Sequence, residues 1–154
     1  MVPHVRPRTP ELLGEGRKVS IFVAGEYAEA TRDAIVEQLE AHVVDDVQVE
    51  LCHDRDATKL HASRQRRYAQ LCVAPLMGYW SLSLTALGAI AQQVPLVVVG
   101  EQLDIEMPPG VVRVDDFEAL GPFFSDCFAR WQRGEVAPTD PAAARAWLLE
   151  RLPR

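Results

Sequence analysis

The side chains best suited to chemistry fall where short apolar runs end. Gly25, Glu26 and Tyr27 follow the run 19–24, and Asp54 and Asp56 follow the alternating run 47–51. Met77, Gly78, Trp80, Ser83 and Thr85 follow 71–76, and Gly100 and Glu101 close 95–99. Converging carboxylates such as Glu26, Asp54 and Glu101 can exchange protons with a substrate or stabilise developing positive charge. The hydroxyls of Ser83 and Thr85 and the carboxylate of Asp54 can hydrogen-bond a polar ligand. The rings of Tyr27 and Trp80 can stack on a flat ligand or serve the core. A single carboxylate in a turn is also an ordinary choice for backbone reasons, so the chemical reading depends on these turns meeting.

Other groupings carry less. Cys52-His53-Asp54 with His61 has metal-ligand types, but residues alternate across a strand and no second pair has zinc spacing, so no metal and no cofactor is expected. Gly14-Glu15-Gly16-Arg17-Lys18 precedes a strand instead of joining strand to helix and lacks the final Ser or Thr, so it is not a phosphate loop. Arg55, Lys59, Arg64, Arg66 and Arg67 form a basic cluster that reads as a solvated helix face, or as a seat for a phosphate or an acidic partner.

The elements that must position these residues follow from periodicity. The β-branched and aromatic run 19–24 ends at Gly25 like a buried strand entering a turn. Ala28, Ile35, Val36, Leu39 and Val43 recur at helical spacing, with Glu29, Arg32, Asp33, Glu37 and Glu40 on the other face. The alternation over 47–51 predicts a half-exposed edge strand. The polar stretch 57–70 predicts a helix only in its second half. Residues 71–76 predict a buried strand that ends at Pro75, 82–93 a buried helix, 95–99 the most apolar strand and 111–114 a fifth. Phe117, Leu120, Phe124, Cys127, Phe128 and Trp131 predict a helix broken or restarted at Gly121-Pro122. Thr139 or Asp140 caps a last helix that either folds back or meets a second subunit. Strands alternating with helices predict an α/β fold: a doubly wound, mainly parallel sheet of about five strands with helices on both faces, in three layers. Ligands of such sheets sit at the strand carboxyl ends, where the winding reverses.

At 154 residues the chain suits one domain. Residues 1–16 are expected to be a flexible leader, 17–134 the α/β domain, and 135–154 a linker with a short helix. The net charge of −6 disfavours nucleic-acid polymers and anionic membranes, whose phosphates call for a basic surface. Three cysteines without CxxC spacing fit a reducing, cytoplasmic setting, and no export signal or membrane span is read.

Val19-Ser20-Ile21-Phe22-Val23-Ala24-Gly25 resembles the opening strand and turn of nucleoside 2-deoxyribosyltransferases and the related nucleotide N-glycosidases. The block 68–99 is similar to a second part of that superfamily: an apolar strand, Gly78, hydroxyl residues, Ala86-Leu87-Gly88-Ala89-Ile90-Ala91, then Val94-Pro95 before a strand. TIR domains are similar in the same places, with Trp80 before a helix. The resemblance implies a flavodoxin-like or Rossmann-like fold, a nucleoside or nucleotide as ligand, a homodimer, and transfer or hydrolysis at the N-glycosidic bond. The family's catalytic glutamate falls on Ala86, which has no carboxylate to offer, so Glu26 or Glu101 would have to substitute. The alternative is a non-catalytic scaffold or protein-interaction domain that keeps the fold alone.

Overall fold

A computed structural model describes residues 18–44, 47–53, 59–76, 82–101 and 106–152. Five strands form an all-parallel sheet in the order β2-β1-β3-β4-β5. They are β1 (Lys18–Val23), β2 (Gln48–His53), β3 (Leu71–Pro75), β4 (Leu96–Val99) and β5 (Val112–Val114). The helices are α1 (Glu29–Glu40), α2 (Lys59–Arg67), α3 (Leu84–Ala91), α4 (Leu120–Gln132) and α5 (Pro141–Glu150). This is the three-layer, doubly wound arrangement expected.

Burial explains the order. Leu71, Cys72, Val73 and Ala74 of β3 and all of β4 are buried, so the central strands read as continuous apolar runs. The half-exposed, alternating β2 takes an edge. Parallel neighbours need crossover helices, and these divide between the faces: α1 packs with α4, while α3 packs with α2 and α5. The core runs from Val19, Ile21 and Phe22 through Ile35, Leu39 and Val97 to Phe124, Phe128 and Trp131. Phe128 and Trp131 meet edge to face, with centroids 5.3 Å apart.

Several expectations shift. α2 begins at Lys59, earlier than its polar sequence suggests, and α3 begins at Leu84 after the N-cap Ser83. Gly121-Pro122 does not break a helix but lies in the first turn of α4, where the backbone N–H that proline lacks would have no acceptor within the helix. Val43 lies beyond the end of α1 and is 43% exposed. Arg66 leaves the basic cluster and turns inward. Its guanidinium lies 6.0 Å from the Phe22 ring centroid, and its Nε donates to Gln92 Oε1 at 2.7 Å. Gln92 Nε2 donates in turn to Ser63 O (2.9 Å) and Oγ (3.0 Å), locking α2 to the end of α3. A Cβ at Gly88 would overlap the Arg66 guanidinium, so glycine there makes the close approach possible.

The tail folds back. Asp140 caps α5 by accepting from Ala143 N, and its own N–H donates to Gly110 O at 3.0 Å. Arg145 Nε donates to Ala91 O at the end of α3, and Ala144 and Leu148 are buried. Trp147 and Arg151 both donate to Glu106, with the Arg151 guanidinium 4.1 Å above the Trp147 ring. The apolar face of α5 is thus covered within the chain. No helix among the described residues is long and apolar enough to cross a membrane.

Candidate functional site

The winding reverses between β1 and β3, because chain progress leads to β2 on one side of β1 and to β3, β4 and β5 on the other. The carboxyl ends of β1 and β3 therefore flank the reversal point, the usual ligand position in such sheets, and residues 77–81 after β3 lie outside the described residues. Ala24 N donates to Val73 O at 2.9 Å, holding β1 against β3 up to this point, and the chain then turns through Gly25 and Glu26 into α1.

Glu26 reaches from the turn after β1 to the start of α3. Its carboxylate accepts from Thr85 Oγ1 at 2.7 Å and from Thr85 N at 3.1 Å. Ser83, the N-cap of α3, accepts from Ala86 N through its own Oγ at 3.1 Å, and its carbonyl accepts from Leu87 N. The first turn of α3 is thereby capped from two sides, and a carboxylate at a helix N-terminus is electrostatically favoured. Ser83 and Thr85 are buried, 4% and 5% exposed, whereas Glu26 faces water. A carboxylate has about four acceptor positions, so Glu26 keeps capacity for a ligand beyond its two bonds to Thr85.

Tyr27 follows directly and is 7% exposed. Its ring meets Phe117 edge to face at 5.9 Å, so it is packed in the core instead of standing open for a base. Its hydroxyl is buried and has no hydrogen-bond partner among the described residues. Burial above all, then the neighbouring Cys72 and Glu26, pushes that hydroxyl's pKa well above the ordinary tyrosine range. The Tyr27 carbonyl accepts from Arg32 Nη1 at 2.7 Å, which fixes the turn to the start of α1.

Gly25, Glu26, Tyr27, Ser83 and Thr85 are therefore gathered at one place, between the exits of β1 and β3. Glu101 is exposed at the exit of β4, and no described contact joins it to Glu26, Ser83 or Thr85. Gly100 N donates to Val114 O and Gly100 O accepts from Arg113, which ties that turn to β5. Asp54, Asp56, Gly78 and Trp80 lie outside the described residues. Ala86 is fully buried, with its methyl group in the core cluster.

Sequence reasoning passed over Glu29, Arg32 and Asp33, which read as the solvent face of α1. With Val23, Val36 and Leu51 they line a hollow of about 170 Å³ at the carboxyl ends of β1 and β2. Position along the helix was the available signal, because the first turn of a helix after a parallel strand lies over that strand's end. The sequence matches no protein-family model and no curated protein.

Proposed function

We propose that this domain binds a nucleoside or nucleotide in the crevice between β1 and β3. The observation that carries this reading is the pair of hydrogen bonds from Thr85 to the Glu26 carboxylate. They bring an acidic side chain with spare acceptor capacity together with two hydroxyl residues at the point of winding reversal. Sugar hydroxyls can donate to such a carboxylate. If the bound molecule turns over, the bond to break is the N-glycosidic one, with Glu26 the carboxylate best placed to stabilise positive charge at the anomeric carbon.

A second reading, the non-catalytic scaffold, is favoured by Ala86. The position that resembles the superfamily's catalytic glutamate carries a methyl group that is 0% exposed, so no side chain there addresses the crevice.

A thermal-shift screen against nucleosides and nucleoside monophosphates, with release of free base followed chromatographically, tests both. A ligand at a hundred times its Kd stabilises by about 2.7 kcal/mol, a rise of about 5–10 °C for a chain of this size. A rise with free base supports turnover, and a rise without it supports binding alone. No rise across the panel leaves the scaffold. The homodimer belongs to the same resemblance-based reading, and a species of about 17 kDa in sedimentation would remove it.

A further inference from the structure

We propose that a hollow against the edge strand β5 is a separate binding site, and that it takes a free α-amino acid, with the ligand's carboxylate on Arg130 and its ammonium on Asp140. The hollow has a volume of about 390 Å³ and lies between the start of β5, the last turn of α4 and the connection that leads into α5. It is at the end of the sheet opposite Glu26, since β5 runs parallel to its neighbours and Gly110 precedes it. Arg130 and Asp140 are the charged residues among the described ones that line it, and Val111, Val112 and Pro138 supply an apolar wall.

Two polar groups of the lining residues are left without partners. Arg130 Nε is buried yet donates to nothing among the described residues, and the exposed Asp126 carboxylate on the same helix is 3.6 Å away, too far for a hydrogen bond. Thr139 Oγ1 is buried and equally unpartnered among the described residues. Buried polar groups are nearly always paired, so two exceptions at one hollow point to a polar guest. A guanidinium holds a carboxylate through two parallel N–H bonds, and a hydroxyl in the same wall adds a further donor. A bare anion would meet the Asp140 carboxylate as a like charge, whereas a ligand with an ammonium beside its carboxylate turns that charge to advantage. Asp140 has the capacity: it accepts from Ala143 N at 3.1 Å, and a carboxylate offers about four acceptor positions. The wall is also fixed in advance. Asp140 N donates to Gly110 O at 3.0 Å and Thr139 N to Ala137 O at 2.7 Å, and Gly110, at φ +84°, lets the Asp140 backbone come closer than a Cβ would allow. A wall held in this way loses little binding energy to ordering.

The test is calorimetric titration of the full chain with L-valine, L-leucine, L-methionine and L-phenylalanine, each against its N-acetyl derivative, which lacks the ammonium, and its amide, which lacks the carboxylate. At least one parent amino acid should bind, and both of its derivatives at least about tenfold more weakly. Arg130→Gln should weaken the parent to the level of its amide. Asp140→Asn, which keeps a good N-cap for α5, should weaken it to the level of its N-acetyl derivative. Thr139→Val removes a hydroxyl that has no partner in the fold, so it should leave stability intact and weaken the parent about fivefold or more. An N-acetyl derivative or an amide that binds as tightly as its parent overturns the inference. So does binding that the variants leave unchanged, because the amino acid would then sit elsewhere. Silence across the series overturns it outright and leaves a hollow that water fills. The derivatives on the unmodified protein, with Thr139→Val, decide the question even if the two charge variants do not fold.

Discussion

Of the polar couplings that hold α3 to its neighbours, the Arg66–Gln92 bond at its C-terminal end and the Thr85–Glu26 bond at its N-terminal end differ in where they leave their charge. At the C-terminal end, the Arg66 guanidinium is folded over Phe22 and Gly88 and bonded to Gln92, which is 4% exposed. At the N-terminal end, Thr85 is as buried as Gln92, but the Glu26 carboxylate it binds faces water. Both join segments distant in sequence by a side-chain bond of 2.7 Å. The difference teaches that bond length does not separate a covered coupling from a solvent-facing one. What separates them is whether the charged partner keeps open acceptor or donor positions towards water.

The largest expected effect comes from breaking the buried coupling by volume. Gly88→Val forces the Arg66 guanidinium off its place and out of its bond to Gln92. We expect a loss of about 2–3 kcal/mol, a fall in Tm of about 4–12 °C. The cause can be isolated with a cycle. In an Arg66→Ala background the clash disappears, and Gly88→Ala should turn neutral or stabilising because alanine is the better helix former by about 1 kcal/mol. A Gly88→Ala penalty that survives in that background would show that Arg66 is not its source.

Next in size is Gln92→Leu, which keeps the volume but leaves the Arg66 Nε and the Ser63 carbonyl without this partner. An unmet polar group away from water costs about 1–3 kcal/mol, and urea denaturation should show a lower midpoint with an unchanged slope. At the other end, Glu26→Ala removes a cap whose charged member is solvated, so we expect about 1 kcal/mol or less. The ratio of the Gln92→Leu and Glu26→Ala losses measures the contrast directly. Equal losses would mean that Glu26 is as structural as Arg66.

How much of this was legible follows from burial. The runs 19–24, 71–76 and 95–99 announced parallel strands because both faces of the sheet are covered, and the alternation of Val47, Val49 and Leu51 announced an edge. α2 was hard to place because its inward face is partly polar: Ala62 is buried beside Ser63 and Arg66, whose partner Gln92 lies 26 residues or more away. Gly121 read as a breaker, yet a Cβ there would come within 2.9 Å of Gln38 of α1 and of His42 just beyond its end, so it marks a close contact with that helix. Glu26, Ser83 and Thr85 were legible as candidates from their place after strands. Their pairing was not, because a bond across 59 residues depends on sheet order. Asp54, Asp56, Gly78 and Trp80 belong to segments outside the described residues.

The smallest effect extends the contrast to a coupling with its charged ends in water. Glu106 accepts from Trp147 Nε1 at 3.2 Å and from Arg151, and its side chain is 66% exposed. The Trp147 bond first, then the Arg151 charge, holds its carboxyl below the ordinary value of 4.5. Since the folded-state pKa lies below the unfolded one, the contact contributes fully above the unfolded value and is lost as pH falls through the folded value. Acidification from pH 5 towards 3 should therefore loosen Trp147 before the domain unfolds. This would read as a fluorescence change that precedes the loss of helical circular dichroism and is absent in Glu106→Gln. Exposed pairs contribute little, so Glu106→Gln should leave Tm almost unchanged at neutral pH. A large drop there would refute the rule that solvent access, more than hydrogen-bond geometry, sets the weight of each coupling in this fold.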